Sequence, residues 1–309
     1  MDAVIAVLPD SIKKLVQDLP ASIKENIEEI RIRIHRPLEI IASGKPIYPQ
    51  WKGTHYSVRV EDAVHLLNQL SQYSLYAFEE ELKQGFITIR GGHRVGLAGK
   101  VIVEKGHVKA IRDISSYNIR VARQKKGVAT PVVHHLINGD WLNTLIIGPP
   151  QTGKTTLLRD IARLVSCGVQ DVPIAPQKVG IIDERSEIAA SVKGVPQHDL
   201  GNRIDVLDAC PKADGMMMMI RSMSPDVLVV DEIGRKEDSD AIIEAINAGV
   251  KVVTTVHGYG MEDVAERPTI RRLLQTNVFR RCIELTNTEK PGTILRIRNH
   301  AGEDVVRLS

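Results

Sequence analysis

The spacing of apolar residues changes character near the middle of the chain. Over residues 11–18, Ile12, Leu15 and Val16, continued by Leu19, fall at i, i+3, i+4 and i+7. Pro9 stands before them and Pro20 after, which predicts a short amphipathic helix. Ile30, Ile32 and Ile34 then alternate with Arg31, Arg33 and His35, the period of a half-buried strand. Helices are predicted near 61–70 and 75–84, with Gly85 placed to stop the second. Residues 86–90 read as a strand and Gly91-Gly92 as a turn. Residues 94–103 and 108–111 read as short strands around Gly106. This first half is therefore α+β.

In the second half, short apolar runs at 142–147, 179–182, 227–230 and 250–256 alternate with helical stretches. Runs apolar on both faces are the mark of a parallel sheet covered by helices. Residues 283–285, 294–297 and 305–308 predict antiparallel strands added at an edge, with a tight turn at Asn299-His300-Ala301-Gly302. The four methionines Met216 to Met219 are predicted to pack a helix against the sheet. The polar, basic stretch Gln124-Lys125-Lys126-Gly127 marks a boundary between residues 1–127 and 128–309. Two domains also fit a chain of 309 residues, at roughly 100–200 residues per domain.

Composition narrows the class. A 43% hydrophobic and 26% charged content excludes wholesale disorder. Cys167, Cys210 and Cys282 are too few and too scattered for a disulfide framework or a zinc site, and fit reduced cytosolic thiols. No apolar run approaches the ~18 residues of a membrane span, and the first ten residues make a poor signal peptide. The net charge of +3 is uneven: residues 1–127 hold 20 Lys/Arg against 14 Asp/Glu, and the rest 21 against 24. A basic first half can meet an acidic partner or an anionic membrane surface. It is too weakly basic to argue for nucleic acid.

The chemistry sits at predicted strand ends. Gly148-Pro149-Pro150-Gln151-Thr152-Gly153-Lys154-Thr155 fits G-x-x-x-x-G-K-[ST], after a strand ending at Ile147 and before a helix over 156–164 that begins with Thr156. Such a loop turns successive backbone N–H groups toward one phosphate at a helix N-terminus. Lys154 is expected along the β/γ-phosphates of ATP, with the Thr155 hydroxyl on Mg²⁺. After the apolar strand at 227–230, Asp231 is expected to hold Mg²⁺ through water and Glu232 to orient or deprotonate the attacking water. A second acidic group, Asp183-Glu184-Arg185-Ser186-Glu187, follows another strand. Read as chemistry it faces the γ-phosphate, and read as surface it is a local ion pair of little energy. Thr254-Thr255-Val256-His257-Gly258 ends a fourth strand. A lone histidine is ordinarily structural, but His257 beside three other such strand ends points to γ-phosphate sensing.

These four stations, in this order, resemble the ATPases of type II and type IV secretion systems and pilus motors over roughly residues 128–290. Arg221-Ser222-Met223-Ser224-Pro225-Asp226 looks like the lead-in to their second acidic strand. A resemblance over nearly the whole chain is to the stage III sporulation AA family. It is carried by the stretch from Gly85 to Gly99, by Ile114-Ser115-Ser116-Tyr117-Asn118-Ile119-Arg120, by the stretch from Cys210 to Met218, and by Val230-Asp231-Glu232-Ile233-Gly234. The secretion ATPases usually carry glycine where Asp231 stands, so the division of labour between Glu232 and the 183–187 box is open. The resemblance implies an α/β fold: a RecA-like P-loop NTPase domain with a mainly parallel sheet and antiparallel edge strands, preceded by a smaller α+β domain. It implies an ATPase motor at the mother-cell side of a channel to the forespore, cytoplasmic and held at the membrane through membrane-embedded partners. It further implies a hexamer, in which arginines from another domain or subunit reach the γ-phosphate. Arg120 and Arg123 are the first candidates for that role, with Arg203 and Arg221 also open. Two other functions compete. A nucleic-acid motor is disfavoured by the weak basic balance and 4% aromatic content. An assembly platform with little turnover is disfavoured by the intact Lys154, Thr155, Asp231 and Glu232.

Overall fold

The computed structural model describes residues 1–71, 85–104, 106–170, 172–288 and 292–307. The chain divides into two units, Met1–Arg123 and Gln124–Ser309.

The first unit opens with helices α1 (Asp2–Val7), α2 (Asp10–Gln17) and α3 (Ala21–Lys24). Strands β1 (Ile27–Arg33), β2 (Glu39–Ala42) and β3 (Lys45–Ile47) follow, then a minimal hairpin of β4 (Gln50–Trp51) and β5 (Thr54–His55). Helix α4 (Val60–Ser71) precedes β6 (Phe86–Ile89), β7 (His93–Glu104) and β8 (His107–Arg120). The six-stranded sheet runs β3-β2-β1-β8-β7-β6, antiparallel at every described pairing. Ile30, Ile32, Ile40, Val95 and Ile119 of this sheet form one core with Ile12 and Val16 of α2 and Leu66 and Leu70 of α4. Asp62 fastens the start of α4: its carboxylate accepts from the Ser11 hydroxyl at 2.5 Å, the Tyr56 hydroxyl at 2.7 Å and the Arg59 N–H at 2.9 Å. The helix expected at 75–84 lies outside the described residues. The two short strands expected at 94–103 and 108–111 are arms of one long hairpin. A bulge at Gly99 breaks the alternation without ending the pairing. Only glycine fits there, because an added Cβ would stand 2.6 Å from the Arg112 carbonyl oxygen.

In the second unit the order is β9 (Thr144–Gly148), α5 (Lys154–Cys167), β10 (Val179–Asp183), β11 (Ile204–Asp208), α6 (Lys212–Met223), β12 (Val227–Glu232), α7 (Lys236–Asn247) and β13 (Lys251–His257). Helices α8 (Met261–Ala265) and α9 (Pro268–Gln275) then lead to β14 (Arg281–Thr286), β15 (Thr293–Asn299) and β16 (Asp304–Arg307). The eight-stranded sheet runs β11-β10-β12-β13-β9-β14-β15-β16. β9 and β10 are buried along their whole length, as their apolar runs require. Alternate residues go to opposite layers. Ile146, Ile181, Val229 and Val253 pack with Leu157, Leu158 and Ile161 of α5. Leu145, Ile147, Ile182, Leu228 and Val230 pack with Met216, Met219 and Ile242 of α6 and α7. The methionine run thus buries only the pair spaced i, i+3, and Met218 is 54% exposed.

One expectation is corrected. Residues 283–285 are antiparallel to β15, as expected, but not to their other neighbour: β14 runs parallel to β9, with Arg281 opposite Thr144 and Glu284 opposite Ile147. Helices α8 and α9 form the crossover that brings the chain back in the same direction. Only β15 and β16 are antiparallel additions. Strand β11 was not expected. It is a half-buried edge strand, Ile-Asp-Val-Leu-Asp, with a weak apolar signal.

His93 is buried in the first unit, its Nδ1 accepting from the Ala122 N–H at 2.9 Å, and burial pushes the imidazole down to about 4. The unfolded chain takes up this proton below about pH 6.5 and the folded ring does not. Stability from this group is therefore complete above pH 6.5 and is lost as pH falls toward 4, by up to about 3 kcal/mol. Urea unfolding of the first unit should show this loss between pH 7 and 4.5, and His93→Gln should flatten it. An equal pH slope in the variant would refute the assignment.

Candidate functional site

Strand β9 delivers Gly148 to the edge of the sheet, and the chain curls back before α5 begins at Lys154. The curl uses left-handed backbone at Gln151 (φ 64°) and Gly153 (φ 87°). Gly148 is held by space, since an added Cβ would meet the Thr152 hydroxyl oxygen at 2.6 Å. Thr152 is fully buried and donates to the Pro149 carbonyl at 2.8 Å, which closes the loop from inside. The Lys154 ammonium donates to the carbonyls of Gly148 and Pro149, each at 2.8 Å. Burial pushes its pKa down, opposed by the Glu232 and Asp231 carboxylates.

The same ammonium lies 2.9 Å from His257 Nδ1. An ammonium has no acceptor, so Nδ1 must accept and the ring proton sits on Nε2. Nε2 faces Glu232 Oε2 at 3.0 Å. Lys154, His257 and Glu232 thus form one hydrogen-bonded chain, with Arg185 3.5 Å from the same carboxylate oxygen. A register shift between Val230 and Glu232 in the pairing of β12 with β13 turns the Asp-Glu pair at the strand end. The Thr254 hydroxyl fixes that turn by donating to the Asp231 carbonyl at 3.0 Å. Asp231 is 5% exposed, and burial raises its carboxyl above the ordinary range.

The acidic box after β10 has a buried frame. The Asp183 carboxylate, fully buried, accepts from the N–H groups of Glu187 (2.8 Å), Ile188 (3.0 Å) and Ala189 (2.8 Å). Burial raises its pKa and these three donors oppose the rise. Arg159, on α5, donates to the Ile188 carbonyl at 2.7 Å and the Glu187 carbonyl at 2.6 Å. The box is therefore tied to the helix that follows the loop. Glu184 turns the other way and pairs with Lys212 of α6.

A cleft of about 450 Å³ collects the strand ends. Pro150, Gln151, Gly153, Lys154, Thr155 and Thr156 line it from the loop, Arg185 and Glu187 from the box, Asp231 and Glu232 from β12, and Thr255 and His257 from β13. Gly148, Pro149 and Thr152 shape the loop behind this lining. Glu184, Arg203 and Arg221 do not line the cleft. Arg120 and Arg123 belong to the first unit, exposed, with the Arg123 guanidinium donating to the Ile27 carbonyl at 2.9 Å. Sequence reasoning passed over Arg185 as a cleft cation and Arg159 and Asp183 as its frame. A signal for Arg159 existed: it sits inside the apolar run Leu157-Leu158-Arg159-Asp160-Ile161, where a charge is costly unless paired.

A parallel sheet with a lysine-bearing loop and acidic strand ends at one edge defines a RecA-like α/β protein. Solved structures share this fold. The Legionella pneumophila ATPase DotB is 20% identical, with a TM-score of 0.53 over 84% of this chain and 72% of its own. The pilus retraction motor PilT with bound ADP is 14% identical, with a TM-score of 0.58 over 89% and 76%. Residues 1–305 match the family described as sporulation stage III, protein AA, and the chain belongs to that family. It is 54% identical over 307 residues to the stage III sporulation protein AA of Bacillus subtilis (strain 168), covering 99% of this chain and 98% of that one.

Replacing Asp183 by Ala leaves three N–H groups, two of them buried, without this acceptor. The expected cost is about 3 kcal/mol or more of second-unit stability in urea unfolding, with Asp183→Asn intermediate. A loss under about 1 kcal/mol for the alanine variant would show that the box does not depend on this carboxylate.

Proposed function

We propose that the chain is an ATP-hydrolysing motor of a secretion-like channel used in endospore formation. The observation that carries this reading is the convergence of Lys154, Thr155, Asp231, Glu232 and His257 on one cleft at the edge of a parallel sheet. The loop amides and Lys154 take the β- and γ-phosphates of ATP. Thr155 and Asp231 offer oxygen donors with a single carboxylate. That set suits Mg²⁺, which keeps several waters and shares the substrate's phosphate oxygens. Among the described residues no group of three or more His, Cys, Asp or Glu could hold a metal ion by itself. Bound Mg²⁺ would neutralise charge on the phosphates. Glu232, accepting from His257, orients the attacking water and takes its proton. His257 links that base to the lysine on the phosphate side, and Glu187 is the second carboxylate at the cleft. Glu184, held by Lys212, supports the box from behind.

Arg120 and Arg123 of the first unit complete the site from another domain or subunit, and where they act across subunits the working form is a homo-oligomer, a hexamer in this reading. Among the described residues no helix is long and apolar enough to cross a membrane. Force would therefore pass to membrane-embedded channel proteins, from the cytoplasmic, mother-cell side. The family membership supports the sporulation setting, and the names of DotB and PilT, an ATPase and a motor, support the activity.

Purified protein should hydrolyse ATP in a Mg²⁺-dependent way. Lys154→Ala should lose ATP affinity with its circular dichroism intact, and Glu232→Gln should keep affinity and lose turnover. Unchanged affinity in the first variant would sink the loop assignment. Glu187→Gln proving more damaging than Glu232→Gln would move the base to the acidic box.

Changing Arg120 and Arg123 together to Ala should leave ATP affinity within about tenfold and lower turnover on the order of 10³-fold. Mixing with Lys154→Ala should restore part of the activity, because an intact loop then meets an intact arginine across subunits. Normal turnover in the double variant would remove both arginines from the site.

A further inference from the structure

The β7–β8 hairpin continues past the sheet that holds its base. β6 pairs with β7 only from His93 to Gly96, and β1 pairs with β8 only from Ser116 to Arg120. From Lys100 opposite Arg112 to Glu104 opposite His107, the two strands pair, among the described residues, only with each other. The bulge at Gly99 falls where the free ribbon begins. A two-stranded ribbon alone is marginal in water and gains from a surface to lie on.

Its side chains suit a particular surface. Val101 pairs across the ribbon with Ile111, and Val103 with Val108. Val101 is 47% exposed, Val103 61% and Val108 49%, so aliphatic side chains gather at the tip and face water. Lys100 stands opposite Arg112, one pair further from the turn than Val101 and Ile111 and on the other face of the ribbon, and Lys109, nearer the turn, is paired with Glu104 at 2.8 Å. The sequence from Lys100 to Asp113 holds four Lys or Arg against two Asp or Glu, so the free ribbon is net positive.

We propose that the hairpin tip docks on an anionic lipid surface. The valines enter the boundary between headgroups and acyl chains, and Lys100, Lys109 and Arg112 lie among the headgroup phosphates. The apolar tip decides against nucleic acid: a phosphate backbone gains from cations but nothing from exposed valines, and residues 93–116 hold no Phe, Tyr or Trp on which a base could stack. Two-fold pairing of two such tips would set like charges face to face. This contact is the chain's own and holds whether or not the site hydrolyses ATP.

The test is co-sedimentation of the full chain with vesicles of phosphatidylcholine and phosphatidylglycerol, compared with vesicles of phosphatidylcholine alone. Binding should be at least about tenfold tighter to the mixed vesicles and should weaken with salt. It should fall about tenfold in Val101→Ser/Val103→Ser/Val108→Ser and again in Lys100→Glu/Lys109→Glu/Arg112→Glu. In Val103→Trp, a single change at an exposed position, added indole emission should shift blue on mixed vesicles and be quenched by brominated lipid. Absent binding to mixed vesicles overturns the proposal. So does binding that both triple variants retain, or an emission that does not move. Loss of duplex-DNA binding or of self-association in the triple variants, with vesicle binding unchanged, would assign the tip to those partners instead.

Discussion

The site depends on the register of the parallel strands. Gly148 stands opposite His257, Thr254 opposite Val230, and Ile182 opposite Val230 on its other side. The strands carrying the loop, the histidine, the acid pair and the acidic box therefore end at one edge, where open α/β sheets bind ligands. A one-residue slip in any of them would turn its terminal side chain to the other face. The buried contacts that fix this register, Ile146, Ile181, Val229 and Val253 against α5, are thus part of the site's construction.

Polar groups near the cleft are ordered by what they are forced to satisfy. Lys154 is 6% exposed and must place its protons, so it takes the loop's own carbonyls and His257. His257 then has one tautomer left and offers its proton to Glu232. Asp183 and Arg159, both buried, have no water to turn to and organise the backbone of residues 187–189. Electrostatics built this way is preorganised, so its groups need little reorganisation when charge develops near them.

The two units are built on opposite rules. The first is an antiparallel sheet with one face on helices, read from alternation such as Ile30-Arg31-Ile32-Arg33. The second is a mainly parallel sheet whose central strands are buried on both faces, read from continuous runs such as Val227-Leu228-Val229-Val230. The free end of the β7–β8 hairpin obeys neither, because its valines Val101, Val103 and Val108 are exposed.

Local chemistry determined what the sequence could declare alone. The loop of residues 148–155 carries its glycines, lysine and threonine within eight residues, and the strands at 179–182 and 227–230 are short runs of mostly apolar residues, so both are legible in one dimension. Gly153 at a left-handed φ is legible for the same reason. Contacts between distant segments were decided only by the tertiary structure. Strand β14 is parallel because α8 and α9 carry the chain back across the sheet, which no property of residues 283–285 reveals. Glu184 and Glu187 are three residues apart and equally acidic. Their separation into one residue on Lys212 and one on the cleft follows from a turn that buried Asp183 imposes. The chain from Lys154 to His257 joins residues 103 apart in sequence. Burial made that choice, because a hydrogen-bond donor taken out of water must find whatever acceptor the fold brings near.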